Sequence, residues 1–100
     1  MAKILKKDAK RLMAKVPSEY VFHCSDGRTL KSMQELEDAL NSMADDTFSY
    51  HSNGERSDFG NWVRDIINDQ KLARDLSKAS SRGQAAKSVK SRIAFLNSKT

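Results

Sequence analysis

Asp58-Phe59-Gly60-Asn61-Trp62-Val63-Arg64-Asp65-Ile66-Ile67 is the stretch that decides how this chain folds. On a helical wheel, Phe59, Trp62, Val63, Ile66 and Ile67 fall within about 140° of arc, the most hydrophobic face anywhere in the sequence. Burying each of these side chains is worth about 1.5–3 kcal/mol, so the face must be covered by other elements. The spacing predicts a helix that starts at Ser57 or Asp58, either of which can cap it, with Trp62 at the centre of the core.

Downstream, Leu72, Ala73 and Leu76 continue the helical period over residues 70–78, and Ser80-Ser81-Arg82-Gly83 then interrupts it with poor helix formers. That interruption reads as a Ser/Gly hinge. Ser81 and Gln84 stand at capping-box spacing, and Ala85, Ala86, Val89, Ile93 and Leu96 make a narrow apolar stripe on a last helix over residues 84–97, with Phe95 off the stripe.

Upstream, Asn53-Gly54 marks a turn, and Asp45–His51 has too little periodicity for more than an irregular or short helical segment. Ser32 and Glu35 form another capping box, opening a helix with Met33, Leu36, Ala39, Leu40, Met43 and Ala44 on one side and Glu35, Glu37 and Asp38 on the other. Residues 20–30 combine β-favouring side chains with Asp26-Gly27, a hairpin turn signal. Residues 4–16 place Leu5, Ala9, Leu12, Met13 and Val16 on one arc, and Pro17 ends that helix by removing an amide donor and holding Val16 extended. The expected fold is mainly α: one small helical domain, residues 1–100, of four to five helices with a short β-hairpin or extended turn near residues 20–30.

The net charge of +5 conceals three blocks. The N-terminal helix, residues 1–17, carries Lys3, Lys6, Lys7, Lys10, Arg11 and Lys15 against Asp8, a net +5. Residues 18–70 set four basic side chains against eleven acidic ones, a net −7, and dominate the acidic core segment that extends to residue 79. Residues 71–100 carry eight basic side chains against Asp75, a net +7.

No apolar run approaches the ~20 residues of a membrane span, and the charged first residues lack the apolar region of a secretory signal. A cytoplasmic protein without membrane attachment is expected. With Cys24 as the only cysteine, the chain can form no internal disulfide and no multi-thiolate zinc site.

The pattern Phe22…Asp26-Gly27…Leu30-x-Ser32-x-x-Glu35-Leu36…Phe48-x-x-His51…Asp58-Phe59-x-x-Trp62-Val63 resembles a prokaryotic family of small domains of unknown function, over residues 19–78. The Asp-Phe-x-x-Trp-Val piece is its most specific part, and both basic flanks lie outside it. Members of that family occur alone or attached to other domains, so the resemblance implies an accessory or interaction module and no particular activity.

For chemistry, His51 and Asp58 are the pair to weigh, since an imidazole held by a carboxylate is a common catalytic arrangement. Their stronger reading is structural, with Asp58 capping the helix and His51 tying the preceding loop to it. His23 and Cys24 are neighbours on an extended segment and point to opposite faces, which argues against a metal site with His51. Cys24 reads as a small buried residue. No Gly-x-Ser-x-Gly elbow and no phosphate-binding glycine loop occurs. The expectation is a non-enzymatic protein with no catalytic residue, metal or cofactor.

The basic ends carry the functional argument. Lysines at a helix N-terminus oppose the macrodipole, so Lys3, Lys6 and Lys7 are poorly placed for helix stability and something else must favour them. A polyanion does, because Lys and Arg contacts to phosphates release counterions. The expected nucleic-acid-binding residues are Lys3, Lys6, Lys7, Lys10, Arg11, Lys87, Lys90 and Arg92, with DNA or RNA as partner. Two competing readings are that the basic ends fold back on the acidic middle, or that a terminal helix docks on an acidic protein or on a second copy of this chain, with Phe95 as anchor.

Overall fold

The structure is a computed structural model and describes residues 4–100. Six α-helices and two two-stranded antiparallel hairpins follow one another: α1 (Lys6–Met13), β1 (Phe22–His23), β2 (Thr29–Leu30), α2 (Met33–Ser42), α3 (Asp45–His51), β3 (Ser52–Asn53), β4 (Arg56–Ser57), α4 (Asp58–Trp62), α5 (Gln70–Lys78) and α6 (Arg82–Asn97). A 3₁₀ turn over Ser18–Tyr20 precedes the first hairpin, and a π-helical turn over Val63–Ile67 extends α4. The fold is the expected mainly α domain, with one helix and one hairpin more than the pattern predicted. Both lie around the segment read as irregular or short-helical and the turn after it: Asp45–His51 is a short helix, and Asn53-Gly54 sits at the head of the second hairpin, where Ser52 pairs with Ser57 and Asn53 with Arg56.

In the first hairpin Gly27 has φ of +98°, a conformation that L side chains rarely adopt, and the Asp26 carboxylate accepts from the Arg28 amide at 3.2 Å. The register sets Phe22 opposite Leu30, so period-two alternation turns Phe22, Cys24 and Leu30 inward and His23 outward. The Cys24 thiol is buried, and desolvation raises its pKa above the ordinary thiol value.

α1 is shorter than its wheel predicts. It stops at Met13, and Val16, held extended by Pro17, donates its amide to the Lys31 carbonyl at 2.7 Å. Ala9 and Leu12 are buried as expected, whereas Leu5 is an exposed cap residue and Ile4 packs on the core in its place. Both capping boxes form with a variation. Ser32 and Ser81 accept from the Glu35 and Gln84 amides at 3.2 and 3.1 Å, but the return bonds reach one residue further back, to the amides of Lys31 and Ser80. Ser80–Gly83 thus works as a helix start, and α6 begins at Arg82 rather than 84. Arg82 anchors that start, donating to Asp45 at 2.9 Å and to the Leu40 carbonyl at 2.8 Å.

α6 packs across α1, α2, α3 and α5, and one contiguous core fills the space between them. Its hub is Phe59, 1% exposed, rather than Trp62, which is 7% exposed. Trp62 sits at the edge of the core because its indole N–H must be satisfied, and it donates to the Tyr20 carbonyl at 2.8 Å. After Trp62 the backbone widens into the π turn, which keeps Val63 and Ile67 buried while Ile66 is only partly covered. The Asn68 and Asp69 amides both donate to the Val63 carbonyl, at 2.8 and 3.1 Å, and Asn68 closes the turn with φ of +71°.

α4 and α5 approach closely at Gly60. A Cβ there would lie 2.6 Å from the Ser57 Oγ, 2.9 Å from the Ser77 Oγ and 3.1 Å from the Ala73 carbonyl. The hydroxyls can rotate, but the carbonyl belongs to α5. Gly60→Ala is therefore expected to cost about 1–3 kcal/mol in packing strain, against about 1 kcal/mol gained in helix propensity. A lower urea midpoint for G60A checks this.

Candidate nucleic-acid interface

The His51–Asp58 pair forms as the sequence indicates, and its geometry defines its role. His51 is buried, its Nε2 accepts from the Ser25 amide at 2.9 Å, and its Nδ1 faces Asp58 Oδ2 at 3.0 Å. Because Nε2 accepts the Ser25 N–H, the ring proton sits on Nδ1, which donates to Asp58. Arg56 grips both Asp58 oxygens, at 3.2 and 2.7 Å. Burial alone would raise the Asp58 pKa, but hydrogen bonds from Arg56 and His51 outweigh it and hold the carboxyl below its ordinary range. Contrary to the expectation, Asp58 is the first residue of α4 and does not cap it; with Ser25, His51 and Arg56 it joins the first hairpin to α3 and α4. The nitrogen that would act as a general base is taken by a backbone amide. Among the described residues no three His, Cys, Asp or Glu side chains gather as metal ligands.

The basic side chains converge elsewhere. A groove of about 890 Å³ runs between α5 and α6, with Arg74 and Lys71 on one helix and Lys87 and Arg92 on the other. Ser88, Ser91, Gln70 and Gln84 complete the polar lining, and Ile4 and Phe95 supply apolar surface. The single acid in the lining, Asp75, is engaged by Lys71 in an i,i+4 pair. Ile4 immediately precedes the turn into α1, and α1 packs along α6, so the two basic ends of the chain are neighbours in space.

The expected binding residues divide accordingly. Lys6, Lys7, Lys10, Lys87 and Lys90 are exposed, and no described carboxylate lies within 4.0 Å of them. Arg11 is exposed and reaches Asp8 only at 3.9 Å, a surface pair of little energetic consequence. Lys3 lies outside the described residues. Arg92 requires a correction: it is not a free cation. Its guanidinium donates to both oxygens of Asp69, at 2.8 and 3.1 Å, and the two side chains are only 12% and 1% exposed. Asp69 caps α5 by accepting from the Leu72 amide at 3.1 Å, and a carboxylate so deeply buried needs a counter-charge, which α6 supplies.

Sequence reasoning missed Arg74 and Lys71 as members of the site. Their signal was the +7 block itself, which begins at Lys71 rather than at the last helix. Folding back on the acidic middle does occur, but through arginines, Arg82 to Asp45 and Arg92 to Asp69; Glu35, Glu37 and Asp38 bond to Gln34 and to the Lys31 amide, not to a basic side chain. Among the described residues, no helix is long and apolar enough to cross a membrane. Comparison with protein-family models, with curated proteins and with solved structures returns no match.

Proposed function

We propose that this chain is a non-enzymatic module that binds a polyanion such as DNA or RNA, in the cytoplasm, along the α5–α6 groove and the adjoining α1. One observation carries the reading: Arg74 and Lys87, on facing helices of one groove, have no carboxylate partner, and the lysines of α1 stand on a helix packed beside it. Unneutralised cations gathered around a concavity cost folding stability through mutual repulsion, and a polyphosphate backbone relieves it while releasing counterions. The engaged Nε2 of His51 favours a non-catalytic role for the one pair that resembles catalytic machinery.

A second reading, a protein-interaction or self-association module, draws on the exposure of Phe95 and Leu5. A defined oligomer in light scattering, unchanged by added nucleic acid, would favour it.

A salt titration tests the first reading. Binding to duplex DNA or to RNA is expected at low salt, with log K falling by about 0.9 per duplex phosphate neutralised. The double variant Arg74→Ala, Lys87→Ala should reduce that slope by roughly two such contacts and weaken binding to all sequences alike. No association at low salt sinks the reading.

A further inference from the structure

We propose that the α5–α6 groove takes single-stranded rather than double-stranded nucleic acid, with one base stacked on Phe95 and the flanking phosphates held by Arg74 and Lys87; this rests on the polyanion reading above. Three features lead there.

The first is shape. Duplex readers insert a protruding helix or ribbon into a DNA groove. Here α5 and α6 face each other across a concavity of about 890 Å³, within the size range of small-ligand pockets. A duplex would touch only its rim, whereas a flexible strand can enter.

The second is Phe95. It is 41% exposed and lines the groove, so part of its ring surface is open to a ligand. Stacking on an aromatic ring is the sequence-tolerant contact of single-strand binders, because every base presents a π-face.

The third is the cationic setting of that ring. The Arg92 guanidinium carbon lies 5.2 Å from the ring centroid and the Lys99 ammonium 5.3 Å. Arg92 is pinned there by Asp69, so it fixes the ring's surroundings without being available to phosphate. Lys99 is exposed near the chain end and can leave the ring for a phosphate when a base arrives. Arg74 and Lys87 then lie on opposite walls, as a threading phosphodiester backbone requires.

Fluorescence anisotropy on the full chain decides the matter, using labelled oligothymidylate and oligouridylate of about ten nucleotides, a duplex of equal length, and a polyglutamate peptide. Both single strands should bind more tightly than the duplex. Phe95→Ala should weaken the single strands roughly 5- to 150-fold, leave the duplex and the salt slope unchanged, and leave the circular dichroism intact, since the side chain is exposed; Phe95→Trp should restore binding. Lys87→Ala should instead lower the single-strand salt slope by about 0.7. Equal affinity for duplex and single strand, or an F95A variant that binds as the parent does, overturns the single-strand inference and leaves the polyanion reading standing. Failure of every oligonucleotide to bind overturns both, as does polyglutamate binding more tightly than any of them, which would assign the groove to an acidic protein.

Discussion

Asp69→Ala is expected to destabilise the chain by about 3–5 kcal/mol, since it strands a buried charge. The carboxylate does two jobs: it satisfies the Leu72 amide at the start of α5 and neutralises Arg92, reached from α6. Alanine removes both, and the Arg92 guanidinium, 12% exposed, keeps its charge without a counter-ion. For a domain whose whole stability is of the order of 5–15 kcal/mol, this is a large share. Two further variants separate the contributions. Asp69→Asn retains a good capping side chain and loses only the ion pair. Combining it with Arg92→Met removes the stranded charge and should recover most of the loss, because the partners are coupled and their effects do not add. Urea denaturation of the three variants checks the ordering, with the double variant more stable than D69A.

Phe59→Ala is expected to cost a similar about 3–5 kcal/mol, for a reason of volume rather than charge. Phe59 is 1% exposed and packs against Phe22 of the first hairpin at 5.0 Å between ring centroids, His51 of α3 at 5.3 Å and Phe48 of α3 at 6.0 Å. Truncation leaves a cavity among aromatic rings that sit on two separate elements, and none can refill it without giving up another contact. Phe59→Leu, which keeps most of the volume, should lose much less. A thermal melt that shows no difference between the alanine and leucine variants would remove Phe59 from the centre of the core.

Most of the helical frame was legible in the sequence, since an amphipathic stripe of period 3.6 is a local signal. The faces of α2, α5 and α6 can be read directly from Leu36-Ala39-Leu40, Leu72-Ala73-Leu76 and Val89-Ile93-Leu96, and the Ser32 and Ser81 starts from their capping pattern. The misread segments are those where a tertiary contact competes with local preference. Pro17 holds Val16 extended as expected, but α1 already stops at Met13, and the strand-like Val16 pairs its amide with the Lys31 carbonyl; Trp62 sits at the core edge because Tyr20 accepts from its indole. Neither partner is close in sequence.

The same reasoning holds for the candidate site. The positive blocks are a property of composition, so the lysines were found. The neutralisation of Arg92 depends on a carboxylate 23 residues away, across the α5–α6 packing. Local charge counting cannot distinguish such an arginine from a free one. Asn68-Asp69 ahead of Gln70 is a recognisable helix start, and it is the one cue by which the buried acid, and with it the need for a cation, was open to discovery.

Trp62 also gives the chain a spectroscopic division of labour. It is the only tryptophan, and it is held against Phe22, hydrogen-bonded to the Tyr20 carbonyl and absent from the groove lining. Its emission reports whether the core has assembled and is silent about what occupies the groove. Folding and ligand capture can therefore be followed as two independent optical signals on the unlabelled protein and a labelled ligand, each serving as the control for the other.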